Sequence, residues 1–327
     1  MNGPPPATNV DHEVLERIAG LVDGLPHLVG ITDADGRVLW VNRSGRDFVG
    51  LGPDETLSTA DVFTDAAFGR YDQEIRPELL AGRVWTGVLP ANRGEIRPAF
   101  EPVVDIDSHR IVAVEIRTCW QHPRRGLLPQ EDFRREAEAS GYLDRLSWAA
   151  AARAARVASA VELPVPVHVP LSSTQLADDA VTDRVAALVA DAHPTPVRVV
   201  ISEDSLTRLR GAALAAIEQI SEHGAGVVLA DHGRGGLPLA LLASLPLAAV
   251  ELDPSLAKAA RGHPNAVALA AQLAMNHQVP CIATEVERPA DRDVLAVLGV
   301  TAVQGPVNGG EWNESRLATE PITRPRP

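Results

Sequence analysis

From residue 95 onward, short apolar runs alternate with longer segments in which apolar residues recur every three or four positions. The short runs are Val167–Leu171, Val197–Ile201, Val227–Ala230, Ala249–Leu252, Val279–Ala283 and Ala302–Val303. None alternates strictly, which is the pattern of strands covered on both faces by helices. The longer segments predict helices over Gln175–Val189, Leu206–Ser221, Pro238–Ala243, Asn265–His277 and Asp291–Leu298. An alanine-rich helix over Asp144–Val161 precedes them and must end before Pro164. Ahead of it, Ala99–Asp105 and Ile111–Ile116 predict a hairpin turning through Ile106–Arg110. So many strand–helix units in one uninterrupted series favour a closed (β/α) barrel over an open sheet.

The first 94 residues follow another pattern. Val14, Leu15, Ile18, Leu21 and Val22 predict a helix over Asp11–Val22, capped by Asp11. Strands over Leu28–Thr32 and Arg37–Val41 flank the turn Asp33–Gly36, where Gly36 can take a positive φ. Short helices over Ser44–Val49, Asp61–Phe68 and Glu74–Leu80 and a strand over Val84–Leu89 follow. In this order Ile31-Thr32-Asp33, Asp35-Gly36-Arg37, Val41-Asn42, Gly82 and Trp85-Thr86-Gly87 resemble a PAS domain, a small sensory α/β module. The resemblance covers about residues 14–90 and ends before the two long strands usual in that family, so the module is either truncated or borrows a later strand. It makes Trp40, Phe48, Phe63, Phe68 and Trp85 candidates for lining a ligand pocket, against the alternative that they are plain core. With no cysteine for a flavin adduct and a lone His27, nothing here points to a cofactor.

The resulting organisation is residues 1–10 disordered, 11–94 a PAS-like sensory or dimerisation module, 95–315 the barrel and 316–327 a tail. The first ten residues hold three successive prolines and nothing to bury. A formal charge of -13 with a pI near 5.2 argues against nucleic acid or an anionic membrane as partner. It leaves room for a small phosphate ligand. Cys119 and Cys281 lack metal or redox spacing and read as reduced thiols, and no signal peptide or membrane-length apolar run is present, so a cytoplasmic protein is expected.

Chemistry is expected where buried strands run out. Val227–Ala230 ends in Asp231, followed by His232-Gly233-Arg234-Gly235-Gly236, and α/β folds place their sites at such strand ends. Aligned on these ends, the region resembles an EAL domain, the barrel that hydrolyses cyclic di-GMP in bacterial signalling. The family's Tyr-Gln-Pro strand is Phe100-Glu101-Pro102, its Glu-Ala-Leu triplet Glu115-Ile116-Arg117, and its Arg-Trp-x-His-Pro stretch Cys119-Trp120-Gln121-His122-Pro123. The end of its second strand is Val169-Pro170-Leu171-Ser172, and Leu-Glu-Ile-Thr-Glu is Val199-Val200-Ile201-Ser202-Glu203. Asp-Asp-Phe-Gly-Thr-Gly becomes Ala230-Asp231-His232-Gly233-Arg234-Gly235, and Lys-Ile-Asp becomes Glu251-Leu252-Asp253. Ala-Glu-Gly-Val-Glu is Ala283-Thr284-Glu285-Val286-Glu287, and Gln-Gly is Gln304-Gly305.

The resemblance implies metal-assisted hydrolysis, with divalent ions held by a Glu, an Asn, a Glu and an Asp. Those positions hold Glu115, Pro170, Val200 and Ala230, so one oxygen ligand of four remains. The family's lysine is Glu251 and its substrate-binding arginine is Cys119. These substitutions lead to the expectation of no catalytic residue, no metal, no cofactor and no enzyme. What is left is a vestigial ligand site of Glu101, Glu115, Arg117, Asp231, Arg234, Glu251, Glu287 and Gln304. The expected function is an inactive EAL-family signalling protein that acts through an unknown protein partner and is dimerised or regulated by the PAS-like module. Two alternatives are a non-hydrolysing cyclic di-GMP receptor and a residual or divergent phosphodiesterase. A different enzyme using His232, His168 or the carboxylates is a further class, for which spacing forces no nucleophile, base and orienter together.

Overall fold

The computed structural model describes residues 23, 29–32, 38–43, 45–46, 76–81, 95–122, 125–139, 141–209, 211–234 and 237–322. The chain forms two compact units, residues 1–95 with 120–142, and residues 96–119 with 143–327.

In the first unit, β1 (Gly30–Thr32) and β2 (Val38–Val41) pair antiparallel, with Ile31 opposite Trp40, as the hydrophobic pattern predicts. Asn42 is buried at the end of β2, where its Oδ1 accepts from the Val29 and Gly45 amides at 2.9 and 3.0 Å. A five-residue helix, α1 (Arg76–Leu80), also belongs here. The helix expected over Asp11–Val22, and Phe48, Phe63, Phe68 and Trp85, lie outside the described residues. After residue 120 come β5 (Gly126–Pro129) and α2 (Arg134–Ala139), where Phe133 stands edge-on to Trp120 at 5.9 Å.

The second unit holds the barrel, apart from Glu95 and residues 120–122, which group with the first. Its strands are β3 (Glu95–Asp105), β4 (Ile111–His122), β6 (Val167–Leu171), β7 (Val197–Ser202), β8 (Gly226–His232), β9 (Leu247–Leu252), β10 (Cys281–Ala283) and β11 (Ala302–Gln304). They close in the order β3-β11-β10-β9-β8-β7-β6-β4, with β4 also paired to β3. β3 runs antiparallel to β11, and neighbours from β6 to β11 run parallel. The antiparallel start follows from the predicted hairpin, closed by the Asp105 amide donating to the Arg110 carbonyl at 2.9 Å.

Valine and isoleucine dominate the strands because branched side chains suit a pleated surface covered on both sides. Inward, Val103, Ala113, Val200, Val228, Ala249, Ile282 and Ala302 form one cluster that fills the barrel. Outward, strand residues such as Val199, Ile201 and Leu229 meet the helices α3 (Leu143–Ala160), α5 (Val181–Ala192) and α7 (Gly211–Glu222). On the other side of the ring, Val250, Leu252 and Ala283 meet α10 (Pro264–His277) and α11 (Pro289–Val297). Burying one such Ile or Leu contributes roughly 1.5–3 kcal/mol.

Two predicted helices are each split. Gln175–Val189 is α4 (Ser173–Leu176) and α5, because Ser172 and Gln175 form a reciprocal capping box and Asp178 accepts from the Ala180 amide at 3.0 Å. Leu206–Ser221 is α6 (Glu203–Leu209) and α7, with Gly211 opening the second. The strand expected from Val279 starts at Cys281, beyond Pro280, which carries no ladder donor. Two short helices, α8 (Leu239–Ser244) and α9 (Pro254–Ala259), flank β9. The last helix, α12 (Glu314–Thr319), spans the expected start of the tail, since Leu317 is buried in the core and Arg153 binds Glu314 through two bonds. Among the described residues no helix is long and apolar enough to cross a membrane.

Candidate functional site

Inward-facing strand positions carry the chemistry, with Glu251 near the carboxyl end of its strand, Glu115 mid-strand and His168 near the amino end of its strand. Glu115 on β4 lies beside His168 on β6, and Glu251 stands on β9. All three are buried, and one ligand atom from each lies within 4.8 Å of the others. His168 Nδ1 stands 3.4 Å from Glu251 Oε1. Both ring nitrogens of His168, Glu251 Oε1 and Glu115 Oε2 make no hydrogen bond.

Arg117, two residues after Glu115 and therefore on the same face of β4, joins this cluster to β3. Its Nη1 lies 3.1 Å from Glu115 Oε1, while Nε and Nη2 donate to Glu101 Oε2 at 3.1 and 2.8 Å. Gln304 on β11 donates to the same Glu101 oxygen at 2.9 Å. Five strands, β3, β4, β6, β9 and β11, thus contribute one connected polar layer within the barrel.

Its charges are set by burial. Burial first, then the Glu251 carboxylate, raises Glu115 to about 7 against the pull of Arg117. Burial likewise raises Glu251 to about 8, opposed by Arg117 and helped by Asp231 and Glu101. Burial lowers His168 to about 4, so its imidazole is neutral at neutral pH. The Arg117 guanidinium is opposed by burial, yet Glu115 and Glu101 lift its pKa above the ordinary arginine value. At neutral pH Arg117 therefore pairs with Glu101 and with a half-ionised Glu115, while the deeper Glu251 holds its proton beside a neutral ring.

The remaining predicted residues lie further out. Asp231 ends in the left-handed region, φ 55°, and burial followed by Asp253 raises its pKa. Arg234 is exposed and its Nε is 3.8 Å from Asp253 Oδ2. Glu287 is exposed on a cleft that Lys258, Glu285, Arg288 and Asp291 also line, and it does not join the buried cluster. Pro170 and Val200 are direct partners on adjacent strands, and Ala230 pairs with Ser202. Trp40 lies on β2, half-buried.

Two buried polar residues were not placed in the site from sequence. His168 precedes Pro170 by two positions, and period-2 alternation puts both on one face, a signal that was readable. Glu203 opens α6, accepts from the Gly233 amide at 3.1 Å and stands 3.4 Å from His232 Nδ1. Gly233 is required there: φ is 96° and a Cβ would collide with Leu256.

Comparison with known proteins decides the family. The EAL domain pattern matches residues 88–308, about two thirds of the chain. The chain belongs to the EAL family. Cyclic di-GMP phosphodiesterase RocR of Pseudomonas aeruginosa is 25% identical over 226 residues, 65% of this chain and 57% of that protein. Cyclic di-GMP phosphodiesterase PdeR of Escherichia coli is 32% identical over 206 residues, 59% of this chain and 30% of that protein. This chain therefore matches only part of either relative's length. Among solved structures, the PaMucR phosphodiesterase in complex with c-di-GMP superposes with a TM-score of 0.63 at 21% identity, covering 77% of this chain and 99% of that one. This last likeness supports the EAL barrel fold.

These findings correct one expectation. Substituted ligand positions alone led to the expectation of a protein that is not an enzyme. Relatives of this EAL domain carry the name phosphodiesterase, which points instead to enzyme activity.

Proposed function

We propose that the barrel is a degenerate EAL domain of cyclic di-GMP signalling, in which turnover is far slower than in the named phosphodiesterase relatives and output runs through protein contacts. The observation that carries this reading is the row Pro170, Val200 and Ala230. In the family resemblance these positions supply oxygen ligands to divalent ions, and here none offers a side-chain oxygen. The residues present do not fit the family's Mg²⁺ or Mn²⁺ set, so no hydrolytic step is assigned through it. The mouth also carries more acid than base: Asp231, Asp253, Glu285 and Glu287 against Arg234 and Lys258, of which Lys258 pairs with Glu285 at 2.5 Å. A dianionic ligand meets net repulsion there.

A second reading, a cyclic di-GMP receptor, is favoured by Arg117, whose side chain is 37% exposed and points its guanidinium into the polar layer. In both readings residues 11–94 act as a PAS-like input or dimerisation module, supported by the antiparallel hairpin of β1 and β2.

The test is calorimetric titration of cyclic di-GMP into the full chain with and without Mn²⁺, alongside chromatography of the product and a RocR-type relative as standard. Removing partners that merely orient metal ligands costs roughly 10–100-fold, so three absent ligands should lower turnover by more than ~100-fold. Turnover within tenfold of the standard, proportional to protein and abolished by EDTA, refutes the reading. Saturable heat without rapid product selects the receptor; no heat selects protein contact alone.

A further inference from the structure

We propose that Glu115, His168 and Glu251 form a binding site for one zinc ion inside the barrel, chemically different from a carboxylate-only magnesium site and independent of the reading above. The donor set is the reason. An imidazole with two carboxylates suits Zn²⁺, which accepts nitrogen and oxygen at about 2.0–2.2 Å. Two donors on one tetrahedral Zn²⁺ stand about 3.3 Å apart, and His168 Nδ1 and Glu251 Oε1 are separated by 3.4 Å. One ligand atom of each of the three residues lies within 4.8 Å of the others, so Glu115 needs a shift on the scale of a side-chain rotation.

The second observation is the orphaned ring. His168 is completely buried, yet neither of its nitrogens has a hydrogen-bond partner. Leaving a buried polar group unsatisfied costs roughly 1–3 kcal/mol, and here Glu115 Oε2 and Glu251 Oε1 are unsatisfied beside it. One cation, displacing the protons of the two acids, would give one ring nitrogen and one oxygen of each acid a partner at once. The surrounding groups also do what partners of metal ligands do. Arg117 fixes Glu115 through Oε1 and leaves Oε2 free, and Glu101, itself held by Gln304, fixes Arg117. A cavity of about 220 Å³ has His168 in its wall, together with Val103, Ala113, Arg198 and Ile282. That volume is large enough to admit water that would complete the coordination from the His168 side.

The experiment uses the full chain, stripped with chelator and titrated with Zn²⁺ or Co²⁺ alone. We expect one saturating equivalent of Zn²⁺, and a Co²⁺ form with the intense visible absorption of four-coordinate nitrogen–oxygen ligation. His168→Gln and Glu251→Gln should each weaken binding by at least ~10-fold, while Glu218→Gln, on the exposed side of α7, leaves it unchanged. No saturable binding overturns the proposal and leaves a proton-sharing acid pair. Binding unaltered in both folded variants also overturns it, because the ion then sits on the acidic surface. Should a variant fail to fold, the Co²⁺ spectrum of the unaltered chain decides: a weak six-coordinate spectrum overturns the site.

Discussion

Replacing Glu251 with Gln in the metal-stripped chain should remove much of an unusual pH dependence of stability. Glu251 and Glu115 have folded-state pKa values raised to about 8 and about 7 from 4.5. The folded state therefore holds protons that the unfolded chain has already released, and stability falls as pH rises through that interval. His168 acts oppositely, because its pKa is lowered from 6.5 to about 4. Its contribution is fully present above about pH 6.5 and is lost only as pH falls below it. Above pH ~6.5 the two acids act alone. Each whole excess proton costs about 1.4 kcal/mol per pH unit, so between about pH 6.5 and 8 the pair costs roughly 2 kcal/mol. For a unit of roughly 200 residues this lowers Tm by about 4–10 °C. Glutamine keeps the size and neutrality of the protonated acid, so Glu251→Gln should remove about two thirds of that fall. Differential scanning calorimetry in EDTA reads it. A Tm that is flat or rises over this interval in the unaltered chain would refute the assignment of protons to these acids.

Gly305→Ala should destabilise the barrel by at least ~2 kcal/mol in urea unfolding, since φ is 132° and the new Cβ would lie 2.6 Å from the Val286 nitrogen. A loss under ~0.5 kcal/mol would mean that the β11 turn relaxes. Ile18→Glu should weaken a homodimer in light scattering, because the apolar stripe of the sequence-predicted helix over Asp11–Val22 then carries an unpaired charge. A monomeric unaltered chain, or a variant that dimerises as well, places the stripe in the module's own core.

The fold was legible because its strands repeat one signal. Val197–Ile201 and Val227–Ala230 are too short for helices and too apolar for half-exposed strands, so a covered parallel sheet is the solution that buries them. Helix interruptions were less legible. The break at Asp178–Ala180 depends on one side-chain cap, and no loss of apolar periodicity announces it. In the candidate site, Glu115, Arg117, Glu101, Glu251 and Gln304 were each identifiable from the motifs that carry the family resemblance. Their wiring was not, because Glu101 and Gln304 are separated by 203 positions and meet only when the barrel closes. Closure also changes the sense of the acids. Read along the chain, Glu251 in place of a lysine is a reversed charge that repels phosphate. In the barrel it is buried, about as near a neutral imidazole as two ligands of one ion would be, and largely protonated. An acid in that state repels little, and it coordinates a cation only by releasing its proton to solvent. The substitutions at Pro170, Val200 and Ala230 empty one ring of donors, and β6 brings His168 two residues deeper. On the proposed reading, the polar chemistry of this barrel is the buried cluster of Glu115, His168 and Glu251, sized for a single ion.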